Sequence, residues 1–191
     1  MIVTNQNLST LPDDLPVPTD DGASTHLVGL AVPPLRLMST NGQEICLMEI
    51  SQSKRTVVYC YPLTGKPGQE LPAGWSDIPG ARGCTPQSCS FRDHYQKLLS
   101  LNAAVFGLST QTTEFQQEAA SRLHLPFPLL SDFQRVFANA LNLPMFEVES
   151  QILTKRLTMI IWQGKIVKVF YPVFPPDKNA QEVIAWLTNN P

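Results

Sequence analysis

Two cysteines five positions apart, Cys84 and Cys89 in the run GCTPQSCSFRD, are the residues of this chain best placed to do chemistry. A thiolate, not a thiol, is the nucleophile, so the first question is what could hold a sulfur as an anion. A free cysteine titrates near about 8.5, which leaves only about 3% thiolate at pH 7; a value of about 6 would give about 90%, a difference of about 3.4 kcal/mol. A helix N-terminus, with its unpaired N–H groups and the positive end of the dipole, contributes about 0.3–1 kcal/mol and up to about 2 when partly buried. A cation must supply the rest, and Arg82 and Arg92 are the nearest in the chain. The spacing has a second consequence. Residues i and i+5 of a regular helix lie roughly 8.6 Å apart at Cα, whereas a disulfide spans less than about 7 Å. A bond between these two sulfurs would therefore require the first helical turn to unwind.

Placing such a cysteine at a helix start requires a strand and a loop before it. TVVYCY at residues 56–61 is a continuous β-branched and aromatic run stopped by Pro62, the pattern of a strand buried on both faces. After a long loop, Phe91, Tyr95, Leu98 and Leu99 fall on one face of a helix predicted over residues 86–101. Residues 103–108 form a second buried strand. Ser109 to Thr113 supplies caps for a helix carrying Phe115, Ala119 and Leu123, which ends at Leu125-Pro126. A short helix near 136–141 follows, then strands 157–162 and 166–171 joined by Gln163-Gly164, and a closing helix with Ala180, Val183, Ile184 and Leu187 on one side. Ahead of all this, residues 35–38 and 44–50 flank Asn41-Gly42, a hairpin signal because both turn residues tolerate positive φ. The expected architecture is α/β: a central mixed sheet flanked by helices, with βαβ followed by ββα as in the thioredoxin-like fold, and an N-terminal hairpin extension. Cys84 then sits at the carboxyl end of a central strand, where such sheets place ligands.

The 191 residues, 43% hydrophobic and 16% charged, predict one folded domain over 26–191, an N-terminal arm over 1–25 and a loop insertion over about 65–80. A net charge of −2 gives no electrostatic reason to expect nucleic acid or an anionic membrane as partner. The polar, proline-containing start lacks the basic and apolar regions of a secretory signal, and no stretch approaches a membrane span of roughly 20 apolar residues. A reducing cytoplasmic location is the expectation, in which cysteines are catalytic, metal-binding or buried rather than paired.

At GCTPQSCSFRD the chain resembles the Q-type peroxiredoxins, also called bacterioferritin comigratory proteins. The resemblance extends to Tyr61-Pro62 at the strand end, FGLST at 106–110, LPFPLLSD at 125–132, and Arg156-Leu157-Thr158 before MIIW. It implies a thiol peroxidase in which Cys84 attacks hydrogen peroxide or an organic hydroperoxide and becomes a sulfenic acid. Arg156 would be the missing cation, and Cys89 the resolving cysteine whose disulfide with Cys84 is reduced by thioredoxin or a similar dithiol. No cofactor and no metal are called for. One departure stands out: the family pattern of proline, three residues, threonine, two residues and cysteine is broken, with Asp77 and Ala81 at the positions seven and three before Cys84. The peroxide-binding hydroxyl and its proline must then come from elsewhere, with Thr85, Thr64 and Pro62 as candidates.

Cys46 and Cys60 read as core cysteines, Cys60 with a minor alternative as a second resolving thiol. His94 continues the five-residue series of Cys84 and Cys89, but the short cysteine spacing of a zinc site is absent. Trp75 either lines the site or pins the inserted loop. A thiol-disulfide oxidoreductase acting on proteins would carry Cys-x2-Cys, which is lacking here. A redox sensor or partner-binding protein of the same fold remains the alternative. Monomer and homodimer are both compatible, and YPVFPPD at 171–177 suits either an interface or an edge cover.

Overall fold

The computed structural model of the chain describes residue 8 and residues 10–191. Strands β1 (Arg36–Ser39) and β2 (Glu44–Cys46) pair antiparallel, and their turn passes through Gly42 at φ 80°. The second arm of this hairpin is shorter than the predicted 44–50. Leu47–Ile50 closes a helical turn, α1, with the Ser51 amide donating to the Leu47 carbonyl at 3.1 Å. Four residues are too few for periodicity to separate strand from helix, and the turn puts Leu47 into the core.

Strand β3 (Arg55–Cys60) is followed by a long loop with one 3-10 turn at Trp75–Asp77, then by helices α2 (Cys84–Asp93) and α3 (Tyr95–Ser100). The single helix predicted over 86–101 is thus two. Its break falls at His94 (φ −100°, ψ 6°), whose amide donates to the Ser90 carbonyl at 3.1 Å while its ring Nδ1 lies 2.8 Å from the same oxygen. Leu99, expected on the buried face, is consequently exposed.

Next come β4 (Ala103–Ser109) and α4 (Thr113–Arg122), the latter capped by the Thr112 hydroxyl accepting from the Phe115 amide at 3.4 Å. They lead to β5 (Leu129–Ser131), α5 (Val136–Leu141), the hairpin of β6 (Met145–Val148) and β7 (Gln151–Thr154), then β8 (Leu157–Trp162), β9 (Lys165–Phe170) and α6 (Asn179–Asn189).

Seven strands form one mixed sheet in the order β2-β1-β5-β4-β3-β8-β9, with β3, β4 and β5 parallel and β8 antiparallel to β3. The pleat of β3 sorts its residues into two cores. Val58 and Cys60 join Phe137, Ala138 and Leu141 of α5 on one face. Val57, Tyr59 and Tyr61 join Cys84, Phe91, Leu98 and the α6 residues Val183 and Leu187 on the other. Cys60 therefore belongs to the opposite layer from Cys84, which removes it as a resolving thiol for the folded chain. Cys46 is buried as expected. This is the thioredoxin-like arrangement with helices on both faces.

Residues 61–83 are fixed rather than loose. Trp75, Ala81 and Leu153 make a third small core with Leu71, Ile78 and Phe146, so the loop packs on the β6–β7 hairpin. The Ala73 amide donates to Glu149 Oε1 at 2.8 Å, and Arg122 donates to the Gly65 carbonyl at 3.0 Å.

Candidate active site

Helix α2 starts at Cys84, two residues earlier than the prediction, because Pro86 sits in its first turn, where a missing N–H leaves no bond unmade. The preceding residue, Gly83, has φ 102°; a Cβ there would run into the Pro176 ring and lie 2.8 Å from Leu11 Cδ2, so only glycine permits this entry into the helix. Cys84 is 3% exposed. Its Sγ lies 3.1 Å from Arg156 Nη2 and 3.7 Å from the Ala81 carbonyl oxygen.

Arg156, immediately before β8 and 3% exposed, is held from several directions. Nη2 also donates to the carbonyls of Ala81 (3.0 Å) and Arg82 (3.1 Å), Nε to the Gly80 carbonyl (3.2 Å), and Nη1 to Gln87 Oε1. All the partners apart from sulfur are neutral oxygens. None of the ion pairs among the described residues includes Arg156. Its guanidinium is thus buried against neutral oxygens and the Cys84 sulfur, with no carboxylate beside it among the described ion pairs. Arg156, rather than Arg82 or Arg92, is thus the cation at the sulfur; Arg92 donates to Asp93 at 2.8 Å and to the Leu123 carbonyl at 2.9 Å.

A polar chain continues inward. Gln87 Nε2 donates to Asn179 Oδ1 at 3.0 Å, and the Thr158 hydroxyl donates to the same oxygen at 2.6 Å. Gln87, Asn179 and Thr158 are fully buried, tying α2, α6 and β8 together behind the guanidinium. Sequence reasoning missed Gln87 and Asn179. Gln87 had a usable signal, since i+3 from Cys84 shares its helix face; Asn179 had none. Beneath the helix, the Tyr59 hydroxyl bonds Ser88 Oγ at 3.1 Å and its ring stacks on Phe91 at 4.5 Å. Burial pushes the Tyr59 phenol well above its ordinary value, so it stays neutral.

Cys89 lies on the same intact helix, half-buried, and both sulfurs are free. Burial pushes its thiol above the ordinary value, partly offset by Arg92. Among the hydroxyl candidates, Thr85 is the second residue of α2 and lines the same small cavity as Cys84. Thr64 is occupied elsewhere: its amide and hydroxyl both donate to Gln111 Oε1, at 2.9 and 3.0 Å. Pro62 lines a separate, larger cavity beside Arg156. Trp75 does both things considered for it, bordering the Cys84 cavity and pinning the loop against Phe146 at 6.2 Å between ring centres. The His94 ring is turned onto the Ser90 carbonyl.

A cysteine opening the helix after a central strand of a thioredoxin-like sheet, with a buried guanidinium on its sulfur, defines a thioredoxin-fold thiol oxidoreductase. The redoxin family pattern matches residues 27–184, and the chain belongs to that family. It is 33% identical over 109 residues to peroxiredoxin bcp1 of Schizosaccharomyces pombe, covering 57% of this chain and 48% of that protein. It is 29% identical over 160 residues to the chloroplastic peroxiredoxin Q of Sedum lineare, covering 83% and 76%. Among solved structures, peroxidoxin BcpB of Mycobacterium tuberculosis superposes with a TM-score of 0.69 at 24% identity, over 85% of this chain and 97% of that one, a likeness of fold. Family and relatives together make the chain a thiol peroxidase, using a peroxide and a thiol reductant, and its relatives include peroxiredoxins of the Q type. No helix among the described residues is long and apolar enough to cross a membrane.

Proposed function

We propose that Cys84 is the sulfur that attacks peroxide, with Arg156 as its charge partner and Cys89 as the resolving thiol. The observation that carries this reading is the 3.1 Å contact between Arg156 Nη2 and Cys84 Sγ, made by a guanidinium with no carboxylate partner among the described ion pairs. The thiolate attacks one peroxide oxygen and the O–O bond breaks. The departing oxygen takes the electron pair and a proton, leaving as water or an alcohol, while Cys84 becomes a sulfenic acid. Helix N–H groups and Arg156 stabilise the charge moving onto that oxygen. The Thr85 hydroxyl stands in for the one that Ala81 lacks, and Pro62 shields Arg156 on its other side.

Unwinding of the first turn of α2 then lets Cys89 displace water from the sulfenic acid to form the Cys84–Cys89 disulfide. Thioredoxin or a similar dithiol restores both thiols, itself becoming oxidised. We assign this chemistry to residues 26–191, with 1–25 as an appended arm, acting as monomer or homodimer in a reducing compartment such as the cytoplasm. A peroxide-consumption assay tests it: wild type with a dithiol donor should consume hydrogen peroxide continuously, and Cys84→Ser should fall to background. Equal rates in the two proteins would defeat the assignment.

A further inference from the structure

Taking Cys84 as the reacting sulfur, we propose that Leu8 of the N-terminal arm completes a size filter over it, with Leu11 holding the arm down on Gly83. The filter admits hydrogen peroxide and turns away bulky organic hydroperoxides. The free space in contact with Cys84 is a cavity of about 20 Å³. A single water needs about 10–15 Å³ on this scale, so the space suits one or two water-sized groups, the size of a molecule with two oxygens and no carbon. Shortage of room in the molecule is not the cause. A cavity of about 340 Å³ lies beside Arg156, bordered by Pro18, Pro62, Ile78, Phe146 and Val173, but Cys84 is not in its wall. An organic tail has space near the guanidinium and none against the sulfur.

The walls of the small cavity differ in how they are held. Leu63, Leu71 and Trp75 belong to the loop whose backbone is tied to Arg122 and Glu149 and whose side chains share a core with Phe146. Leu8 comes from the arm and sits so tightly over Gly65 that a Cβ there would lie 2.8 Å from its Cδ2. Leu11 is outside the cavity wall and anchors the arm instead: it packs on Gly83, immediately before Cys84, where a Cβ would lie 2.8 Å from its Cδ2. Two glycines thus serve as seats for two leucines. Beyond these, the arm is anchored at Asp21, which pairs with Lys155 at 2.6 Å and accepts from the Tyr171 hydroxyl at 2.7 Å, well outside the Cys84 cavity. Leu8, with Leu11 as its anchor, is the part of the filter that can be cut back without dismantling the loop.

The full chain carrying Leu8→Ala and Leu11→Ala, compared with wild type on hydrogen peroxide and cumene hydroperoxide, tests this. Wild type should favour hydrogen peroxide. In the double variant the rate constant for cumene hydroperoxide should rise about tenfold or more, the scale on which apolar pockets discriminate size, while that for hydrogen peroxide stays within about twofold. Gly65→Ala displaces Leu8 from the opposite side and should move the ratio in the same direction. An unchanged ratio in both variants, or a wild type that prefers cumene hydroperoxide, overturns the filter. Failure of wild type to reduce either peroxide removes the peroxidase reading, and the filter with it.

Discussion

Cys84 and Cys89 share one helix and one chemistry, yet their surroundings are nearly opposite. Cys84 stands at the helix N-terminus, with a guanidinium 3.1 Å from its sulfur and a polar chain through Gln87 and Asn179 fixing that guanidinium. Cys89 lies five residues on, past the reach of the terminal N–H groups, and burial pushes its thiol upward. Element type alone therefore does not decide which sulfur attacks. On the proposed reading the first turn of α2 and the strand-borne Arg156 do, while burial holds the Cys89 thiol above its ordinary value.

Breaking the pair at Cys89 should have the largest effect on turnover. Cys89→Ser is expected to consume one equivalent of peroxide per chain and then stop. Mass spectrometry should find Cys84 as sulfenic or over-oxidised acid, whereas wild type shows the intramolecular disulfide. Sustained turnover in the variant would mean that the reductant reaches the sulfenic acid directly. Removing the cation with Arg156→Met should lower the second-order rate constant with peroxide about 10²–10³-fold, as loss of a transition-state charge partner does elsewhere. A loss below about tenfold in stopped-flow measurements would credit the helix terminus with most of the activation.

The smallest expected effect is at Gln87, a positioning residue that acts through Arg156. Gln87→Met should cost about tenfold, the scale of one hydrogen bond to a charged group. In an Arg156→Met background the same change should cost nothing further, because the group it positions is gone. Additive losses would instead mark Gln87 as a packing residue of α2.

Much of this was legible in the residues. TVVYCY declared a strand buried on both faces, and β8 followed Arg156 where the RLT run put it. Cys84 opened a helix as expected, and the family resemblance named Arg156 before any contact was known. The parts that stayed hidden depend on tertiary geometry. The β6–β7 hairpin turns at Glu149 and Ser150, with φ of 46° and 63°, without the Asn or Gly that flags such a turn. Strand β5 is three residues long inside a proline-rich run. The helix break at His94 comes from a ring meeting its own helix's carbonyl, which no apolar period reports. Gln87 and Asn179 meet across 92 positions of chain, and only the fold brings them together.

Gly83 brings the N-terminal arm and the segment before α6 together at the start of α2, because the one position a Cβ would take there is crowded by both Leu11 and Pro176. On the proposed reading, unwinding the first turn of α2 to form a disulfide would disturb both contacts in one movement. A covalent event at a single atom would thereby become a change of outline, and the dithiol that comes to reduce the protein would meet a different surface from the one that peroxide met.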